Sequence, residues 1–148
     1  MILVDTSVWV AHLNSGDPQL ADLLEQGEVL MHPCVLGELA CGSMRNRRQL
    51  LDFLEELPQA IVASDEEVLQ FIDNSRLVGK NLGYVEAQLL ASMVLSGLRC
   101  LWTRDKRLAE IVQSLGYLYE PDEMPPYLTT IAPSQSNQVQ GQGQSQGA

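Results

Sequence analysis

Short apolar runs that alternate with longer stretches of helical periodicity constrain this chain more than any other feature. Ile2-Leu3-Val4, Val29 to Met31, Ile61 to Ala63, Leu98 to Trp102 and Tyr117 to Tyr119 are strand-length segments, and the residues between them repeat apolar side chains at helical spacing. That alternation specifies βαβ units, and hence an α/β fold with a parallel sheet.

Local signals set the element ends. Thr6 or Ser7 is positioned to cap a helix through Trp9, Val10 and Leu13, and Asp17-Pro18 reads as an N-cap followed by proline at the first helical position. Gly27 closes that second helix, Pro33 opens the one carrying Glu38, and the pattern from Gln49 to Leu57 stops at Pro58. Ser64 followed by Glu67 has capping-box spacing ahead of Val68, Leu69, Phe71 and Ile72. Arg76 to Leu82 reads as a loop containing Gly79, Gly83 to Ser96 as a long helix, and Asp105 as the start of a helix with Leu108, Ile111, Val112 and Leu115 on one side.

The 148 residues suit one domain with a sizeable core. Its predicted extent is 1–131, with 132–148 a Gln/Gly/Ser-rich tail too polar to offset the entropy of ordering and therefore expected to be disordered. No apolar stretch approaches the ~20 residues of a membrane span, and Asp5 interrupts any signal-peptide hydrophobic region, so the expectation is a soluble, cytoplasmic protein. Cys34, Cys41 and Cys100 are odd in number and widely spaced, which reads as reduced core thiols rather than a disulfide framework. Net charge is -10. That argues against an anionic partner, but the basic residues cluster at Arg45, Arg47 and Arg48, at Arg76 and Lys80, and at Arg104, Lys106 and Arg107, so a local positive patch is compatible with it.

Four acids stand out against this pattern. Asp5 ends the first apolar run, Glu38 interrupts Val35-Leu36-Gly37-Glu38-Leu39-Ala40, Glu86 enters Tyr84-Val85-Glu86-Ala87, and Asp105 follows Leu101-Trp102-Thr103. Each has an ordinary structural explanation: Asp5, Glu86 and Asp105 suit helix N-termini, and Glu38 suits a buried ion pair with an arginine. Together they suggest a site. Ligand crevices in open α/β sheets lie beyond the carboxyl ends of the strands, where Asp5 and Asp105 fall. Carboxylates without His or Cys are hard-oxygen ligands suited to Mg²⁺ or Mn²⁺, and such an ion would bridge an acidic pocket to a phosphate ester.

These residues resemble a known family. Met1-Ile-Leu-Val-Asp5-Thr6-Ser7-Val8-Trp9, Gly37-Glu38-Leu39-Ala40, Gly83-Tyr84-Val85-Glu86-Ala87-Gln88-Leu89-Leu90-Ala91 and Leu101-Trp102-Thr103-Arg104-Asp105-Lys106-Arg107-Leu108 look like the successive motifs of PIN-domain ribonucleases, and more narrowly of VapC-type toxins of toxin–antitoxin pairs. The similarity covers about residues 1 to 120. It implies a three-layer α/β/α sandwich around a parallel sheet, Mg²⁺-dependent cleavage of RNA (with Mn²⁺ as a substitute), homodimerisation, and inhibition by a small cognate antitoxin. By matching motif it implies Asp5, Glu38, Glu86 and Asp105 as metal-binding acids, with Thr6 and Thr103 as hydroxyls bordering the pocket. Arg104, Lys106 and Arg107 flank the last acid and are candidate contacts to the RNA backbone. One position departs from the pattern: the third motif usually carries aspartate, where this chain has Glu86. A non-catalytic PIN-like module that binds RNA or a partner is therefore the alternative. A phosphatase is more distant, because Ser7 stands where its second aspartate belongs.

Overall fold

The computed structural model describes residues 1–121. The predicted domain end at 131 and the tail 132–148 lie outside them. Within the described residues the order is β1 (Ile2–Val4), α1 (Thr6–Ser15), α2 (Pro18–Glu25), β2 (Val29–Leu30), α3 (Pro33–Cys41), α4 (Arg47–Glu56), α5 (Asp65–Asn74), α6 (Tyr84–Leu95), β3 (Leu101–Trp102) and α7 (Lys106–Ser114). No helix among them is long and apolar enough to cross a membrane.

The strands form a parallel sheet in the order β2-β1-β3. Ile2 and Leu3 pair with Val29 and Leu30 on one side, and Leu3 and Val4 pair with Leu101 and Trp102 on the other. Successive strand residues point to opposite faces, yet all three β1 side chains are buried, so helices cover both faces and the α/β/α sandwich follows. One continuous core joins the sheet to Val8, Trp9, Leu20, Leu54, Leu90, Met93 and Leu108. A smaller cluster of Ala63, Val68, Ala87 and Ala91 packs α5 against α6, where alanines permit close approach.

Three expected strands are shorter than the apolar runs suggest. Met31 makes only a single bridge to Gln59 beyond β2, Tyr117 to Tyr119 contributes only the bridge between Leu101 and Leu118, and β3 is confined to Leu101 and Trp102. The run Ile61 to Ala63 forms no strand at all. Its backbone is held by hydroxyls instead: Ile61 N–H donates to Ser96 Oγ at 2.9 Å and Ala63 N–H to Ser92 Oγ at 3.0 Å, both on α6.

Ser92 belongs to a buried polar network. His32, wholly buried ahead of Pro33, accepts the Cys34 N–H at Nδ1 (2.9 Å) and thereby caps α3. Its neutral ring therefore carries the proton on Nε2, which faces Ser92 Oγ at 3.0 Å. The Ser92 hydroxyl donates to Gln88 Oε1 at 3.1 Å, and Gln88 Nε2 donates to the Ala63 carbonyl. The network ties α3, α6 and the 60–63 segment together, fixing the helix that bears Glu38 relative to the helix that bears Glu86.

The predicted caps at Asp17 and Ser64 are present, the latter as a reciprocal capping box with Glu67. Neither Thr6 nor Ser7 caps α1: the N-cap position is Asp5, and its side chain makes no capping bond. Cys34 and Cys100 are half-buried free thiols, but Cys41 is exposed at the end of α3, contrary to a core role.

Candidate metal centre

Asp5 leaves β1 at its carboxyl end, and Asp105 follows β3, its paired neighbour, by three residues. Parallel pairing thus brings both acids to one edge. Glu38 approaches from the middle of α3 and Glu86 from the first turn of α6. All four line a single cavity of about 430 Å³, together with Thr6, Ser7, Gly83, Tyr84, Val85 and Leu89.

The oxygens of each acid divide their tasks. Asp5 Oδ2 accepts two hydroxyl hydrogen bonds, from Ser7 Oγ and Thr103 Oγ1, each at 2.8 Å, while Oδ1 accepts none among the described residues. Thr103, in turn, accepts the Asp105 N–H at 3.1 Å, and Ser7 Oγ accepts the Arg104 N–H at 2.9 Å. Asp105 Oδ1 caps α7 by accepting Arg107 N–H and Leu108 N–H, which leaves Oδ2 without a hydrogen bond. Both Glu86 oxygens have partners: Oε2 accepts the Gly83 N–H at 2.9 Å at the start of α6, and Oε1 accepts from the Arg107 guanidinium at 2.6 Å. Glu38 is exposed rather than buried and has no ion-pair partner among the described residues. Its charge reaches Cys34 one turn earlier, whose thiol is pushed up from its ordinary pKa by burial first and by Glu38 second.

The three flanking cations have different fates. Arg104 pairs with the buried Asp17 at 3.0 Å, tethering the β3–α7 junction to the start of α2. Lys106 is exposed. Arg107 turns into the site, where Nη2 lies 2.6 Å from Glu86 Oε1 and 3.7 Å from Asp105 Oδ2, and Nη1 donates to the Asn81 carbonyl. The hydrogen bond that Arg107 donates to Glu86, then the charges of Glu86 and Asp105, push the arginine pKa up.

No three Asp, Glu, His or Cys side chains among the described residues stand close enough to enclose a cation by themselves. The arrangement is looser than a four-carboxylate cage. It does fit a hydrated hard cation, which takes one or two direct carboxylates and keeps several waters. The donors are all oxygens, and among the described residues Asp5 Oδ1 and Asp105 Oδ2 are free of hydrogen bonds and the cavity-lining Thr6 has a buried Oγ1 with no partner. Ser7 is the residue that sequence reasoning missed. Its position two residues after Asp5 was the available signal, because a side chain there on the first turn can reach back to the carboxylate.

A second recess of about 700 Å³ lies between α1, α3 and the start of α4, lined by Val10, Leu13, Met44 and Arg45 among others, and it shares Glu38 with the acidic cavity.

Comparison with known proteins finds relatives in sequence and in fold. The sequence model of the PIN domain matches residues 2–113. Ribonuclease VapC32 of Mycobacterium tuberculosis, from strains CDC 1551 / Oshkosh and ATCC 25618 / H37Rv, is 50% identical over 108 residues, covering 73% of this chain and 87% of that protein. Among solved structures, VapC20 of Mycobacterium tuberculosis, a sarcin–ricin loop cleaving toxin, superposes with a TM-score of 0.54 at 19% identity, over 79% of this chain and 96% of the other. FitAcB from Neisseria gonorrhoeae superposes with a TM-score of 0.57 at 17% identity, over 84% and 100%.

Proposed function

Since this chain belongs to the PIN-domain family and, within it, to the VapC-type proteins, we propose that it is a divalent-metal-dependent endoribonuclease acting as the toxin of a toxin–antitoxin pair. The observation that carries the reading is one cavity at the carboxyl edge of the sheet lined by Asp5, Glu38, Glu86 and Asp105, four acids far apart in sequence. The half-identical relative, named as a ribonuclease, supports RNA as the substrate.

Asp5 and Asp105 are the residues to hold Mg²⁺, through the oxygens that their hydroxyl and capping partners leave free. When bound, the ion lowers the pKa of a water and offsets charge developing on the phosphoryl oxygens. Ser7 and Thr103 fix the Asp5 rotamer, so its second oxygen is presented without further reorganisation. Glu38, exposed on the cavity wall and unpaired among the described residues, is suited to orient the attacking water and receive its proton. The neighbouring recess with Arg45 offers room for RNA on one side of the scissile bond. A small cognate antitoxin and a homodimer, as the family resemblance implies, complete the reading, together with a cytoplasmic setting.

The test is RNA cleavage by Asp5→Asn and Asp105→Asn proteins purified free of antitoxin. Asparagine at 105 keeps the oxygen that caps α7, so folding is preserved. Each variant is expected to lose activity by at least about 100-fold, in line with the several kcal/mol a catalytic metal contributes. Full magnesium-dependent activity in both defeats the assignment. Mn²⁺ titration by calorimetry in parallel separates it from a non-catalytic binding module, which binds the ion and yields no products. The commitment of Glu86 to Arg107 is the observation that favours that second reading.

A further inference from the structure

The most unusual group in the acidic cavity is a cation supplied by the chain itself. One guanidinium, that of Arg107, is bonded to Glu86 at 2.6 Å, stands 3.7 Å from Asp105, and is anchored to the Asn81 carbonyl. Like charges crowded around one pocket raise each other's energy, so a positive group among them stabilises the fold. Arg107 serves that role here, since Arg104 is held by Asp17 on a different path and Lys106 faces solvent. Its side chain is 39% exposed, so it is held by these contacts and not walled in.

We propose that Arg107 is an internal counter-cation that competes with the divalent metal for Glu86 and Asp105, so that filling the site requires the arginine to swing away. The proposal rests on the metal-centre reading above. It also explains the glutamate at position 86. A side chain at the third helical position can reach back to the N-cap N–H, and Glu86 does so to Gly83 with one oxygen while presenting the other to α7. Aspartate, shorter by one methylene, would draw its oxygens back from both partners by about one carbon–carbon bond. Glu86 and Arg107 therefore form one device: the longer acid holds the arginine over the pocket and leaves Asp5 and Asp105 to make first contact with the ion. Arg107 is a positioning residue, acting on the metal through the carboxylates and not on the substrate.

The experiment is Mn²⁺ titration by calorimetry of the metal-free full chain, together with its thermal unfolding, for wild type, Arg107→Gln and Arg107→Lys. Removing a competing cation is expected to tighten Mn²⁺ binding about tenfold in Arg107→Gln, the usual scale of coupling between two sites. The unfolding midpoint of the metal-free variant is expected to fall, and Mn²⁺ to raise it more than in wild type. Lysine, a point charge that cannot bridge Glu86 and Asn81 in the same way, is expected to fall between the two. Mn²⁺ affinity unchanged or weaker in both variants, or no Mn²⁺ binding by any of the three, overturns the proposal. The outcomes separate the two readings. Tighter Mn²⁺ binding without RNA products keeps the counter-cation and removes the nuclease, whereas Asp5-dependent cleavage with unchanged affinity in Arg107→Gln does the reverse.

Discussion

Replacing Ser92 with alanine tests the network that holds α3 and α6 in register behind the acidic cavity. The hydroxyl accepts two buried donors, His32 Nε2–H at 3.0 Å and Ala63 N–H at 3.0 Å, and donates to Gln88 Oε1 at 3.1 Å. Alanine fits the space but orphans both donors. A buried donor left unsatisfied costs about 1–3 kcal/mol, so two of them, with partial relaxation of Gln88, cost about 3 kcal/mol. For a domain of this size that corresponds to a fall in Tm of about 10 °C. Urea denaturation followed by tryptophan fluorescence is a suitable assay, because both tryptophans, Trp9 and Trp102, are buried and report on the core. Ser96→Ala is the control. Its hydroxyl accepts only the Ile61 N–H, at an exposed position, and its loss should cost less than about 1 kcal/mol because water replaces it. A Ser92→Ala protein within about 0.5 kcal/mol of wild type, or no worse than Ser96→Ala, refutes the reasoning, since 0.5 is the scale of a featureless surface change.

The same network makes stability depend on pH. Burial pushes the His32 pKa below its ordinary value of 6.5, so between the two values the unfolded chain binds a proton that the folded one does not. This contribution is intact above about pH 6.5 and is lost as pH falls below it, by at most about 1.4 kcal/mol per unit; His32→Asn, which keeps an N-cap acceptor, should flatten that slope in urea titrations across pH 5 to 7. Thr103→Val removes one of the two hydroxyls that orient Asp5 without changing side-chain volume, and Mn²⁺ affinity measured by calorimetry should fall about tenfold. Ser64→Ala breaks the capping box of α5, and thermal unfolding should register a loss of about 1 kcal/mol, with Mn²⁺ affinity unaffected because α5 does not line the acidic cavity.

Much of the fold was legible because its signals are local. Asp17-Pro18, the Ser64–Glu67 box and Asp105 announce helix starts through bonds made within three residues, and each appears as read. Ile61 to Ala63 misled because an extended apolar run is equally consistent with a strand and with a segment pinned by hydroxyls from a distant helix. The hydroxyls of Ser92 and Ser96 lie roughly thirty residues further along, and nothing local marks them as its partners.

The site shows a different limit. For Asp5, Glu86 and Asp105 the sequence offered a choice between capping a helix and binding a metal, and in the proposed site Asp105 is able to do both with separate oxygens. Asp105 caps α7 with Oδ1 and keeps Oδ2 free of hydrogen bonds among the described residues; Asp5, at the N-cap of α1, makes no capping bond, and its Oδ2 accepts from Ser7 and Thr103. A carboxylate has enough lone pairs for two or more partners, so a helix terminus is an economical place for a ligand: the helix fixes the acid with one oxygen and leaves the other aimed outward. Glu86 is the exception that follows from the same logic. Its bond from Gly83 N–H and its arginine occupy both oxygens, so its availability to a metal depends on a residue on another helix, Arg107, whose relevance is visible only once α6 and α7 are brought together.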